Sequence, residues 1–263
     1  MKKLCVIGNP IEHSLSPKIH NIWIKQNKLD FIYEKKLLEK EDLQKIIKEL
    51  KDDNLFGCNV TVPFKQDIIE YVDELSAVSL KTNSVNTLCK SGSKIIGHNT
   101  DVMGFQKSLE DLKFNFKNKS VFLIGAGGVS PSIIEALNNL GVGKITLTNR
   151  SEERLKKLSD LYDNLEIIDW EKIKDADVYI NATSVGLNKN DRLNLDLTGI
   201  KNKLFYDVIY NPEKTNFLEE AEKNNNRIAN GKMMFLYQAQ ASFKIWTGVE
   251  PVITEEVIKT LND

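Results

Sequence analysis

The sequence predicts an α/β protein of two domains, and three observations carry that expectation. Short apolar runs alternate with stretches of helical period along most of the chain. The run at 120–124, Ser-Val-Phe-Leu-Ile, is almost continuously apolar, as in a strand buried on both faces of a parallel sheet. The 263 residues exceed one small domain and suit two modest ones. Alternating β and α segments imply parallel strands joined by right-handed crossovers.

In chain order, residues 4–7 read as a strand. Residues 17–27 read as a helix, with Ser16 as N-cap and Pro17 in its first turn. A strand follows at 31–38. Leu43, Ile46, Ile47 and Leu50 then fall at i, i+3, i+4 and i+7, which predicts an amphipathic helix over 41–50. Residues 55–60 read as a strand, 68–71 and 75–80 as helical, and 85–89 with 94–98 as a hairpin. A second series begins with the strand at 120–124. It continues with a helix over 130–140, a strand at 144–148, a helix over 152–161 and strands at 165–168, 177–182 and 204–208. Stretches 232–246 and 254–261 are predicted helical, and a domain boundary is placed near Asp101–Gly104.

Composition excludes several function classes. Lys and Arg total 36 against 37 Asp and Glu, so the basic excess of a nucleic-acid or membrane-surface protein is missing. No stretch approaches the roughly 20 apolar residues that span a bilayer. The apolar run after Met1-Lys2-Lys3 ends at Gly8-Asn9-Pro10, too short for a signal-peptide core. Cys5, Cys58 and Cys89 form neither a CxxC pair nor a disulfide framework, and His13, His20 and His98 do not cluster. The expectation is a cytoplasmic protein that holds no metal and binds neither nucleic acid nor membrane.

Gly125-Ala126-Gly127-Gly128 follows the apolar strand directly and precedes a helix. In that context the first Gly makes the tight turn and the second lets the backbone approach a pyrophosphate. The helix N-terminus then faces the negative charge. The third Gly of the usual pattern is replaced by Ser130, followed by Pro131. The next strand ends in Thr148-Asn149-Arg150-Ser151, with Arg154 one turn later. Arg150 lies 22 positions after Gly128, where a folded NAD site would carry an acidic residue for the ribose 2′-hydroxyl. A carboxylate there would repel a 2′-phosphate, whereas a guanidinium offers it a charged fork. The expectation is a Rossmann-like domain that takes NADP (NADPH) in preference to NAD, held by Gly125, Ala126, Gly127, Gly128, Val129, Asn149, Arg150, Ser151, Arg154 and Thr183.

The N-terminal half carries polar residues just past its strand ends: Ser14-Leu15-Ser16-Pro17, Asn59-Val60-Thr61 with Pro63 and Lys65, Asn86-Thr87, and Gly97-His98-Asn99-Thr100-Asp101. Hydroxyls and amides of this kind suit a small polyhydroxylated carboxylic acid. Taken in order with Asn149-Arg150, Asn181-Ala182-Thr183-Ser184, Gly186, Asp207, Tyr210-Asn211-Pro212, Gly231, Met234, Gln238 and Ala239, these motifs resemble the shikimate dehydrogenase family through nearly the whole chain.

The resemblance implies that Ser14 and Ser16 hold a substrate carboxylate. It implies that Thr61, Asn86, Asp101 and Gln238 bind ring hydroxyls beside Lys65, with Tyr210 nearby. Lys65 and Asp101 would be the catalytic pair, and Val208, Gly231 and Met234 would line the nicotinamide side. It further implies a substrate-binding domain at 1–101 plus 237–263, with the NADP-binding domain at 102–236 inserted before the C-terminal helices. The activity implied is reversible reduction of 3-dehydroshikimate to shikimate by NADPH, a step of aromatic amino-acid biosynthesis. Monomer and homodimer are left equally open. Four places depart from the family pattern: Asn83-Ser84 for Gly-Ala, Val102 for Gly, Met233 for a second Gly, and Ser130-Pro131 after the glycine loop. Two rival functions stand beside this reading. One is a quinate/shikimate dehydrogenase using NAD, against which Arg150 speaks. The other is a non-catalytic metabolite-binding module, which loss of Lys65 or Asp101 would have favoured.

Overall fold

The computed structural model describes residues 1–261. The chain runs through β1 (Lys2–Gly8), α1 (Ser16–Gln26), β2 (Phe31–Leu37), α2 (Leu43–Lys51), β3 (Gly57–Val60), β4 (Glu74–Leu75), α3 (Ala77–Thr82), β5 (Thr87–Ser91) and β6 (Lys94–His98). After α4 (Asp101–Glu110) come β7 (Ser120–Ile124), α5 (Ser130–Asn139), β8 (Lys144–Thr148), α6 (Glu152–Leu161), β9 (Leu165–Ile167), β10 (Val178–Asn181) and β11 (Leu204–Asp207). Helix α7 (Asn216–Lys223), β12 (Arg227–Asn230), α8 (Lys232–Thr247) and α9 (Glu255–Lys259) complete it. Two compact units result, Met1–Gly104 with Leu236–Leu261 and Phe105–Phe235. The chain passes from the first unit to the second within α4 and returns within α8.

The first unit is built on a sheet of order β2-β1-β3-β5-β6-β4. Strand β1 pairs in parallel with both β2 and β3, and β5 runs antiparallel to β3 and β6. Helix α2 lays Leu43, Ile46, Ile47 and Leu50 against Cys5, Ile7, Cys58 and Val60. Each such buried side chain contributes about 1.5–3 kcal/mol. Cys5 and Cys58 are register partners with their sulfurs 3.6 Å apart, and both are free thiols. An aromatic cluster of His20, Trp23, Tyr33, Phe243 and Trp246 joins α1, β2 and α8. Gly57 admits the indole: a Cβ there would lie 2.3 Å from Trp246 Nε1, which donates to the Leu88 carbonyl.

The second unit has an all-parallel sheet of order β12-β11-β10-β7-β8-β9. Residues Val121–Ile124 of β7 and all of β10 and β11 are buried, which accounts for their nearly unbroken apolar sequences. The strand order reverses between β7 and β10, and in the first unit between β1 and β3. Open α/β sheets bind ligands outside the carboxyl ends of strands at such points.

Several expected elements differ. Helix α1 begins at Ser16, so Ser16 is not its N-cap. Leu15 occupies that position without a side-chain cap, and it is Ser14 Oγ that accepts the Ser16 N–H at 3.4 Å. The stretch 75–80 splits into β4 and α3, the latter capped by Ser76, and 67–71 is a short 3-10 turn. The expected helix over 41–50 opens with a 3-10 turn, Lys40–Asp42. Helices α4 and α7 and strand β12 had no counterpart among the predicted elements.

Candidate active site

In the first unit, the loops after β1 and β3 approach closely. A Cβ on Gly8 would lie 2.6 Å from Thr61 Cγ2, so only Gly lets the two strand ends meet. The Thr61 N–H donates to the Ile7 carbonyl and the Asn9 N–H to the Val62 carbonyl. The first loop carries Ser14 and the buried Ser16 into α1, and the second carries Thr61 and Lys65.

Lys65 Nζ donates to Asp101 Oδ2 at 2.6 Å, with the side chains 14% and 6% exposed. Asp101 is the first residue of α4, where Asn99 Oδ1 accepts its N–H and that of Val102. A carboxylate at a helix N-terminus is further favoured by the helix dipole. The other oxygen, Oδ1, accepts from Asn86 Nδ2 at 2.9 Å, and the same amide nitrogen lies 3.4 Å from Gln238 Oε1. The structure therefore brings together Lys65, Asp101, Asn86 and Gln238. Thr61 lies four residues before Lys65 in a turn closed by Phe64 N–H donating to the Thr61 carbonyl.

Behind this group lies a polar network of which the sequence picked out Asn59, Thr87 and Thr100 but neither Tyr33 nor Ser242. Asn59 Nδ2 donates toward Asn86 O, Thr87 Oγ1 and Ser242 Oγ, each at 3.0 Å. Thr87 and Thr100 hydroxyls and the Thr100 N–H converge on Asn86 Oδ1. Tyr33 Oη donates to Asn59 Oδ1 at 2.6 Å. The only sequence signal was polar residues inside otherwise apolar strands. His98 ends β6 with its ring nitrogen 3.3 Å from Cys89 Sγ.

In the second unit, the glycine loop sits at the sheet's reversal point. Gly125 adopts φ +111°, and a Cβ there would meet Thr183 Cγ2 at 2.8 Å and the Ala182 carbonyl carbon at 3.0 Å. Asn149 Oδ1 accepts the Ala126 N–H. Ser130 opens α5, and its hydroxyl donates to the Gly125 carbonyl at 2.8 Å, closing the loop that a third Gly would have left untied. Gly128 has nothing within 4 Å of a built Cβ, so the loop leaves an open cradle at the start of α5. Val129 occupies the N-cap position of α5. Arg150 and Arg154 are exposed, and Ser151 is the N-cap of α6. Backbone amides at a helix N-terminus with two free guanidinium groups past the neighbouring strand suit a phosphorylated dinucleotide.

The remaining predicted residues of this unit cluster beyond β11. A Cβ on Gly231 would fall 1.9 Å from the Val208 carbonyl oxygen, so these two backbones touch. Met234 is buried in the first turn of α8. The Tyr210 ring stacks on Phe235 at 4.7 Å, and burial pushes its phenol up to about 12. Asp207 accepts from Asn181 Nδ2, Thr215 Oγ1 and the Ile209 N–H, while burial raises its carboxyl to about 6. Among the described residues, no group of three or more His, Cys, Asp or Glu is placed to hold a metal ion.

A glycine cradle at the reversal point of a parallel sheet defines a nucleotide-binding α/β protein, here accompanied by a lysine–aspartate centre on a second sheet. Comparison narrows the class. Residues 6–88 match the shikimate dehydrogenase substrate binding domain, and residues 107–194 match shikimate/quinate 5-dehydrogenase. A Pelagibacter ubique protein named shikimate dehydrogenase (NADP(+)) is 48% identical over 262 residues, covering 99% of each chain. The crystal structure of the Aquifex aeolicus shikimate dehydrogenase superposes with TM-score 0.91 at 35% identity, over 100% of this chain and 97% of that one. The Thermus thermophilus enzyme, solved with NADP(H) and shikimate, gives TM-score 0.89 at 28% identity over 99% and 100%. The chain belongs to the shikimate dehydrogenase family.

Proposed function

We propose that the protein is an NADP-dependent oxidoreductase that reversibly reduces 3-dehydroshikimate to shikimate. The observation that carries this reading is the largely buried Lys65–Asp101 pair, 2.6 Å apart and flanked by Asn86 and Gln238. Unit Met1–Gly104 with Leu236–Leu261 serves as the substrate domain, and Phe105–Phe235 as the NADP domain. The relative with 48% identity carries the NADP(+) name, and the Thermus thermophilus relative was solved with NADP(H) and shikimate.

The bound cofactor supplies the hydride equivalent that the carbonyl carbon accepts. The substrate oxygen then gains negative charge and needs a proton. Lys65 Nζ has one N–H on Asp101 and two more to offer, so it both stabilises that oxygen and delivers the proton. Asp101 fixes the direction of the lysine, and its other oxygen is held by Asn86, so neither group must reorganise as charge develops. In the reverse direction the same lysine takes the hydroxyl proton. Ser14 and Ser16 hold the substrate carboxylate at the start of α1, and Thr61, Asn86 and Gln238 hold ring hydroxyls. The glycine cradle and Asn149 hold the cofactor phosphates and adenosine side. Arg150 and Arg154 take the 2′-phosphate, and Val208, Gly231 and Met234 shape the nicotinamide side.

Among the described residues, no helix is long and apolar enough to cross a membrane, and the reading places the protein in the cytoplasm. The Lys65–Asp101 pair and the cradle lie on one chain, so the reading holds for monomer and homodimer alike. The test is turnover of purified protein with shikimate and quinate, each with NADP and NAD. Shikimate with NADP is expected to give the highest kcat/KM. Lys65→Ala is expected to lower kcat by about 10²–10⁴-fold, the worth of a positioned acid–base group. Tight binding without turnover, or near-normal turnover of the variant, would overturn the reading.

A further inference from the structure

The buried network behind the Lys65–Asp101 pair has a direction. Tyr33 Oη donates to Asn59 Oδ1, which turns the Asn59 amide nitrogen toward Thr87 Oγ1. Ser242 Oγ lies 2.8 Å from the same hydroxyl, and with Ser242 donating there the Thr87 proton goes to Asn86 Oδ1 at 3.0 Å. Together with the Thr100 N–H at 2.8 Å, this holds Asn86 so that its nitrogen, not its oxygen, meets Asp101 Oδ1 at 2.9 Å. Each link donates toward the carboxylate, and hydrogen bonds aligned in one sense strengthen one another in a low-dielectric interior. Tyr33, Asn59, Thr87, Asn86 and Asp101 are all buried, so water cannot substitute for a missing link.

Tyr33 is itself rigidly placed. Its ring lies flat on His20, with centroids 4.2 Å apart and planes 2° from parallel. Its backbone N–H donates to Asn21 Oδ1, and its carbonyl accepts from Asn21 Nδ2. Nothing so far described assigns this residue a part in the reaction, and a tyrosine packed only for its ring would need no hydroxyl.

We infer that Tyr33 is a positioning residue for the reduction: its phenol anchors the far end of a one-way hydrogen-bond chain through Asn59, Thr87 and Asn86 that holds Asp101, and through it Lys65, in the reacting geometry. This rests on the proposed dehydrogenase function. Tyr33→Phe keeps the ring on His20 and removes the hydroxyl, both as donor to Asn59 and as partner of the Ser16 side chain. Asn59 Oδ1 then loses its partner, and the amide is free to turn its oxygen toward Thr87.

The experiment is a double-mutant cycle on kcat with Tyr33→Phe and Thr87→Val, the second cutting the chain at its middle with little change of shape. Each single variant is expected to lose roughly 10-fold in kcat, and the double variant no more than the worse single, as for residues acting through one network. KM for shikimate is expected to rise by less than kcat falls, because the chain ends on the Lys65–Asp101 pair and touches the substrate only through Asn86 and Ser16. Two results overturn the inference. One is full kcat per folded molecule in Tyr33→Phe with only a lowered Tm, which marks a packing role. The other is multiplied losses in the double variant. A second readout needs no turnover: Tyr33→Phe should shift the Asn86 side-chain amide resonances in the shikimate-free protein. Unmoved resonances overturn the chain even where wild-type turnover stands. Absent wild-type turnover would instead overturn the function and leave the chain to be judged by the resonances.

Discussion

Arg150 stands exposed just past the end of β8, at the position where an acidic side chain would select a free ribose hydroxyl. Its proposed role in holding the 2′-phosphate depends on charge alone, since among the described residues it makes no hydrogen bond or ion pair that a substitution would break. A charge-assisted hydrogen bond contributes about 1.5–3 kcal/mol. Arg150→Asp is therefore expected to raise KM for NADPH by about 10- to 100-fold, the equivalent of that energy, while the KM for NADH stays level or falls. Steady-state kinetics with both cofactors check this, and an unaltered preference sinks the assignment. Two departures from the family pattern also resolve at single residues. Asn83 takes φ +45° as the C-cap of α3, a left-handed conformation that Asn tolerates almost as Gly does. Ser130 substitutes a hydroxyl tie for a glycine's close approach.

At the scale of elements, legibility followed how much of the physics was local. Helix α2 announced itself because one face alone is apolar, and β7, β10 and β11 because burial on both faces removes polar residues. Helix α4 hid because it starts inside a polar site segment and carries Gly104, a poor helix former. Strand β12 is an edge strand whose Arg227 is exposed and whose other residues are half-buried, so its apolar signal is weak. The cap of α1 was misplaced because Ser16 before Pro17 reads as a cap, whereas the helix starts one residue earlier, with Leu15 in the cap position. The directly placed site groups were visible as polar residues past strand ends. Asn59 and Thr87 were visible in the same way, but Tyr33 and Ser242 were not, because the network's pairing joins segments up to 183 residues apart. The junction of β11 with α8 gives a prediction at this scale. Any Cβ on Gly231 must push the Val208 carbonyl away, and the backbone cannot yield as a flexible side chain would. Gly231→Ala is expected to cost about 1–3 kcal/mol or more in denaturant unfolding, as overpacking does, and to weaken NADPH binding. A variant with unchanged stability and unchanged KM for NADPH would show that the contact has slack.

For the whole molecule, the aromatic cluster of the first unit sets a limit on acid stability. His20 is fully buried, and neither ring nitrogen has a hydrogen-bond partner among the described residues. Burial pushes its imidazole down to about 3 from an ordinary 6.5. The folded state therefore refuses a proton that the unfolded chain accepts below about pH 6.5, and the stability present above that pH is lost as pH falls toward about 3. The slope is about 1.4 kcal/mol per pH unit, so roughly 2 kcal/mol is lost between pH 8 and pH 5. Asp207 works the other way. Its carboxyl, raised to about 6 from 3.8, lets the folded state bind a proton the unfolded chain lacks between those values, which favours folding as pH falls. The two contributions partly cancel in the wild-type curve, so a single pH–stability profile hides both. The difference between wild type and His20→Phe isolates the histidine, because every other titrating group is common to the two proteins. The phenyl ring retains the stacking on Tyr33 and removes two desolvated nitrogens. Denaturant unfolding at pH 8, 6.5 and 5 is expected to show the variant gaining on wild type by about 2 kcal/mol across that range. His20→Leu, lacking the ring, should lose stability at every pH yet show the same relative gain toward acid. Parallel profiles for wild type and both variants would mean that the imidazole finds a proton partner in the fold after all.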